Sequence, residues 1–168
     1  MNRTLRNILF IVASIALYFV WENGGETVYA RFVAGGVEKV TSRFSDIERT
    51  EVERFEQEGK TMIYCHYPDR MTRISVEYCL PVVLLLAWQF ALFFDKRLNW
   101  KIALRFFSIN FALYYFIQIL FPLLMFNISQ SKVKSMGLFI GLQIFGFIAF
   151  FLILKDSLII KYKYPQTK

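Results

Sequence analysis

One histidine and two cysteines are the only imidazole and thiol side chains among 168 residues. Metal sites need such residues at a recurrent spacing, and Cys65, His66 and Cys79 show none, so no metal ligand is assigned. No nucleotide-binding or catalytic motif stands out either, and catalytic residues and cofactors are both read as none. Charge is scarce in another way: it is missing from long stretches and gathered into a central block. A water-soluble fold of this size could not hide a composition that is 56% hydrophobic, with a mean hydropathy of +0.40. The 19 Phe and 9 Tyr fall mostly into the uncharged runs at both ends of the chain, and bilayer spans are the natural explanation.

Four runs qualify. The first, residues 7–21, follows Arg3 and Arg6; the second runs from 74 or 78 to 94; the third, 102–126, carries only Arg105; the fourth, 136–154, has no charge. About 20 helical residues cross a hydrocarbon core of about 30 Å. Helix is the default, because a lone strand would leave its backbone groups unpaired in lipid. The expected fold is an all-α membrane protein with four transmembrane helices. Its first helix occupies 1–23, an extracytoplasmic segment 24–77, a three-helix transmembrane region 78–155 and a cytoplasmic tail 156–168.

Lys and Arg in the short flanks set the orientation. The second loop holds Lys96, Arg97 and Lys101, the tail holds Lys155, Lys161, Lys163 and Lys168, and the amino end holds Arg3 and Arg6. Both termini are therefore expected in the cytoplasm. The net charge of +7 is mostly this orientation signal. The segment from Glu22 to Cys79 is acidic by contrast, with 11 Asp or Glu against 8 Lys or Arg, so the basicity does not point to nucleic acid. A cleaved signal peptide is the rival reading of the first run, given two arginines, an apolar core and Val28-Tyr29-Ala30. The stretch from Trp21 to Ala30 is long for a cleavage region and carries Glu22 and Glu26, which favours an uncleaved anchor.

Within the outer segment, Val28, Phe32, Val33, Val37, Val40 and Phe44 recur at helical spacing, with Arg31, Glu38, Lys39 and Arg43 elsewhere around the axis. This predicts an amphipathic helix whose middle is weakened by Gly35-Gly36, and whose apolar side packs on the protein or lies on the outer leaflet. Beyond it, Ser45 and Glu48 have the spacing of a capping box. Glu58-Gly59 is a turn signal and residues 61–67 are rich in strand formers, so a short β-hairpin pairing 52–57 with 61–67 is favoured. Pro68-Asp69 would end the second strand and residues 70–77 would lead into the membrane. Pro81 then sits in the first turn of the second span, where its missing donor is harmless.

The stretches Val52-Glu-Arg-Phe-Glu-Gln-Glu-Gly-Lys-Thr-Met-Ile-Tyr64 and Ile74-Ser-Val-Glu-Tyr-Cys-Leu-Pro-Val-Val-Leu-Leu-Leu86 resemble the exosortase-associated small membrane proteins. In that group an N-terminal span leads through a helical stretch to a short hairpin and then to a leucine- and proline-rich second span. The Asn-Pro of that group near Tyr78-Cys79 is lacking here. The resemblance implies a bacterial inner-membrane accessory to a protein-sorting or surface-polymer system, and it implies no catalytic residue.

Cys65 and Cys79 should both lie outside the cytoplasm, where a disulfide is allowed, although two separate free thiols fit the sequence as well. Cys65, His66 and Cys79, with Arg70 and Arg73 nearby, also invite a thiol-enzyme reading. Adjacent residues of a strand point to opposite faces, which places this thiol poorly for that base. Ionisable residues are nearly absent from the four runs; Arg105 can snorkel to the headgroups. Gln89, Asn110, Gln118 and Gln143 either line a small polar site or make hydrogen bonds between helices. Gly137 and Gly141 form a GxxxG step for close helix packing, inside the bundle or with another subunit. Pro122 should kink the third span. Asn127-Ile128-Ser129 matches a glycosylation sequon at the very end of a span, where modification is not expected.

Two function classes follow. The first is a non-catalytic accessory or scaffold that uses its outer segment and helix faces to bind a larger membrane protein. The alternative is a subunit of a small, oligomeric transporter or channel whose amide side chains line the path. A thiol-dependent membrane enzyme is the third. The lipid bilayer, with a membrane-protein partner or further copies of the chain, is the expected company.

Overall fold

The computed structural model describes residues 3–44, 48–55, 60–68, 71–126 and 131–164. Its first element is α1 (Arg3–Val20), in which Arg6, Phe10, Ala13 and Leu17 recur every three or four residues on the side turned toward the bundle. Ile8, Ile11, Val12, Ile15 and Phe19 face outward, as befits a helix surrounded by lipid tails. A π turn, Trp21–Gly25, joins α1 directly to α2 (Glu26–Phe44). Asn23 leaves helical geometry there and Gly24 takes φ 108°, a left-handed value that glycine adopts without steric cost. The helix bends at this point and continues without an intervening loop.

Along α2 the buried stripe is Ala30, Val33, Ala34 and Val37, while Val28 and Phe32 are exposed. The expected amphipathic helix is present, with its apolar residues divided between two surfaces. One surface packs on a sheet; the other, through Phe32, stacks on Tyr115 with ring centroids 4.3 Å apart. Gly36 permits this approach, because a Cβ there would collide with Ile119 and Tyr115.

The sheet has β1 (Arg49–Phe55), β2 (Lys60–His66) and β3 (Met71–Ser75), antiparallel in the order β1-β2-β3. Arg49 pairs with His66 and Val52 with Ile63, so the expected hairpin forms, with its first strand beginning earlier than residue 52. The third strand was not expected: residues 71–75 pair with β2, Ile63 opposite Ile74, before the chain enters the membrane. Thr61, Ile63, Cys65 and Ile74 are buried on the inner face. There Thr61 Oγ1 donates to Glu26 Oε2 at 3.0 Å and Thr50 Oγ1 to Glu38 Oε2 at 3.0 Å, tying sheet to helix. The expected turn at Glu58-Gly59, the capping residue Ser45 and the 127–129 sequon lie outside the described residues.

A 3-10 turn, Val76–Cys79, leads to α3 (Val82–Phe93), followed by α4 (Trp100–Phe126) and α5 (Ser131–Lys163). Among the described residues four helical stretches, Thr4–Ser42, Val76–Phe93, Trp100–Met125 and Phe139–Lys163, are long and apolar enough to cross a membrane. The chain is thus a multi-pass integral membrane protein, all-α apart from one small open sheet. Tyr78 packs on Phe121 and Phe145 at 4.8 and 5.4 Å, and Tyr114 on Phe145 at 5.7 Å. Such aromatic pairs each contribute about 0.5–1.5 kcal/mol beyond area burial.

The fourth helix differs from expectation at one boundary. Residues 156–168 were assigned to a tail, yet α5 runs on to Lys163 with Asp156 and Ile160 fully buried. The reason is visible afterwards: Lys155-Asp156 interrupts the apolar run, but Leu158-Ile159-Ile160 resumes it.

Candidate intramembrane polar site

Asp156 projects from α5 into the bundle, where three donors from two other helices meet one of its oxygens. Asn110 Nδ2 donates to Oδ2 at 2.7 Å, Gln89 Nε2 at 3.1 Å and Trp88 Nε1 at 3.3 Å. Asn110 lies ten residues along α4 from Trp100, and Asp156 seven residues before the end of α5. At a rise of about 1.5 Å per residue these positions are about 15 Å and about 10 Å inside their helix ends. A carboxylate at such depth is costly unless paired and hydrogen-bonded, which is what the three donors provide.

Lys155, the neighbour of Asp156 in sequence, points away from the core yet reaches back. Its Nζ donates to Asn110 Oδ1 at 2.5 Å and lies 3.4 Å from Asp156 Oδ1. On the other flank, the Arg6 guanidinium sits over the Trp88 ring, 5.1 Å from its centroid, and Phe10 meets that ring edge-on. Arg6 Nη1 donates to Asp95 Oδ2 at 3.2 Å and Arg97 Nη2 to the same oxygen at 2.6 Å. Burial works against the Asp95 charge, but hydrogen bonds from the Arg97 side chain and backbone, together with both guanidinium charges, hold its carboxyl below the usual range. The chain Lys155, Asn110, Asp156, Trp88, Arg6, Asp95, Arg97 therefore links α1, α3, α4, α5 and the loop after α3.

The four amides singled out in the sequence do not share one site. Gln89 and Asn110 are both bound to Asp156. Gln118 lies elsewhere: Tyr29 Oη donates to its Oε1 at 2.5 Å, and Tyr78 Oη lies 3.5 Å from its backbone carbonyl. That carbonyl is the one Pro122 cannot bond within α4, having no N–H, so Tyr78 stands where the helix lacks a donor. Gln143 faces outward from α5, in a groove of about 580 Å³ shared with Gly146, Phe147 and Phe150. Among the described residues it has no hydrogen-bond partner.

Gly137 and Gly141 face α4 within the bundle, since a Cβ at either would strike Met125 or Phe121. Cys65 and Cys79 are both free thiols in the same buried cluster. Burial pushes the Cys65 thiol up to about 12. His66 is on the opposite sheet face, with Nε2 3.1 Å from Glu51 Oε2. Among the described residues no group of three or more His, Cys, Asp or Glu could hold a metal ion.

Sequence reasoning missed Asp156 and Trp88. A signal was there in Asp156, an acid between the apolar run ending at Leu154 and Leu158-Ile159-Ile160, but the sequence reading puts it beyond the membrane. No family model, curated protein or solved structure matches the chain.

Proposed function

We propose that the chain is a non-catalytic accessory protein that sits beside a larger membrane protein in a protein-sorting or surface-polymer system. The observation that carries this reading is Gln143. Within the fourth span it presents an exposed amide on the outer face of α5, beside Gly146, Phe147 and Phe150. An amide facing lipid lacks hydrogen bonds that a partner helix supplies, each worth about 0.6–2 kcal/mol. The Asp156 network supports the same reading, because the polar groups inside the bundle hold the chain's own helices together. The sheet, tied to α2 at Thr50 and Thr61, gives a partner a fixed surface at the far end.

The test is purification of the tagged chain in mild detergent, with mass spectrometry of stoichiometric companions, repeated for Gln143→Leu. A membrane enzyme that co-purifies with the wild type and is lost from a still-folded Gln143→Leu supports the reading. A clean homo-oligomer, or a partner retained by Gln143→Leu, counts against it.

A second reading, a proton-linked transporter or channel subunit, draws on the buried carboxylate of the network. Among the described residues Asp156 Oδ1 has the Lys155 ammonium at 3.4 Å but no hydrogen bond, which leaves it an oxygen that can take a proton. Proton flux in proteoliposomes that disappears in Asp156→Asn would favour it.

A further inference from the structure

We propose that the cleft between α4 and α5 at the basic end of the bundle binds the phosphate of an anionic phospholipid headgroup. The cleft has a volume of about 260 Å³ and is lined by Arg105, Phe106 and Ile109 of α4 and Lys155, Ile159 and Lys163 of α5, among others. The spacing puts these on facing helix surfaces: Arg105 and Ile109 are four apart, as are Lys155, Ile159 and Lys163 in succession. Three cations from two helices thus converge on one cleft.

Their depths match a lipid. Lys163 is the last residue of α5, Arg105 lies five residues inside α4, and Lys155 eight residues inside α5. At about 1.5 Å per residue the cations descend from the helix end to about 12 Å within. Ile109, half exposed, continues the surface beside them toward the acyl chains. The charge is not cancelled internally. Lys155 is shared with Asn110 and Asp156, but among the described residues neither Arg105 nor Lys163 has an acidic partner. A bidentate guanidinium and a mobile ammonium over an apolar floor are the groups that hold a lipid phosphate, and basic clefts between transmembrane helices take anionic headgroups. Lys155 then connects the cleft to the Asp156 network, so headgroup binding braces the bundle.

The experiment uses the full chain in detergent. Native mass spectrometry counts bound lipid while phosphatidylglycerol, phosphatidylcholine or inorganic phosphate is titrated, for the wild type, Arg105→Gln/Lys163→Gln, the charge-preserving Arg105→Lys/Lys163→Arg, and Lys39→Gln/Arg49→Gln at the other end. The expected result is one phosphatidylglycerol held against phosphatidylcholine, weakened roughly tenfold or more in Arg105→Gln/Lys163→Gln and little changed in the other two variants. Equal retention of the two lipids overturns the proposal, as does undiminished phosphatidylglycerol binding by Arg105→Gln/Lys163→Gln. Displacement of the lipid by an equal concentration of inorganic phosphate overturns the lipid assignment. Should Arg105→Gln/Lys163→Gln fail to fold, Arg105→Gln and Lys163→Gln singly, each weakening phosphatidylglycerol alone, decide the matter.

Discussion

Asn110 of α4 and Asp156 of α5 meet in a 2.7 Å hydrogen bond that joins the two longest helices in the interior of the bundle. Asp156→Ala leaves the donors of Trp88, Gln89 and Asn110 buried without an acceptor, and should cost about 3 kcal/mol. Asn110→Ala removes one donor and should cost about 1 kcal/mol. Asp156→Asn keeps a carbonyl oxygen for those donors and should fall between. Unfolding by SDS titration in mixed micelles gives the ranking, and a neutral Asp156→Ala would show that the network holds nothing together.

Asp95 should make the stability of the α1–α3 pair depend on acid. Its carboxyl binds a proton less readily in the native state than in the unfolded chain. The stability it contributes is therefore complete above the ordinary aspartate value of about 4, and is lost as pH falls toward the lower native value. Melting temperature should be flat from pH 7 to about pH 5 and then decline. In Asp95→Asn the starting value should be lower and the decline shallower, and equal slopes in the two proteins would remove Asp95 as the cause.

Two adjacent glycines of α2 should respond in opposite directions. A Cβ at Gly35 meets open space, and Gly35→Ala should gain about 0.5–1 kcal/mol from the reduced freedom of the unfolded chain. Gly36→Ala must displace Ile119 and Tyr115, whose hydroxyl donates to the Phe32 carbonyl at 2.8 Å, and should lose about 1–3 kcal/mol. Thermal melts of the pair in one detergent are sufficient, and a shared sign would contradict the packing of α2 on α4.

Cys65 and Cys79 should be silent toward thiol reagents in the folded protein, the first because its thiolate is suppressed as well as buried. Maleimide should add nothing to the native protein in an hour, and two labels after denaturation without reductant. One or no label after denaturation would mean that the thiols are consumed in the membrane.

Much of this arrangement was legible in the residues. Uncharged runs of near-membrane length gave the four spans, because lipid tolerates little else. Thr61 to His66 read as a strand from its β-branched and aromatic content. β3 did not: Thr72 and Ile74 alternate over too short a length, and what makes them a strand is the free edge of β2, a partner that is distant information. Gln89 and Asn110 were readable as polar groups needing company. Their common acceptor was not, since Asp156 follows Lys155, and a Lys-Asp pair after a long apolar run looks like the edge of the membrane. Only the packing of α5 on α3 and α4 shows that the lysine leaves the core and the aspartate enters it.

The buried aspartate also sets an order on biogenesis. An aspartate within an apolar helix is costly to insert unless it finds hydrogen-bond donors. Asp156 arrives on α5, after α3 and α4 in chain order, so its three donors have already been synthesised when it emerges. The cost of carrying that carboxylate is therefore offset only once α5 has docked on α3 and α4, so the earlier helices act as the template for the later one.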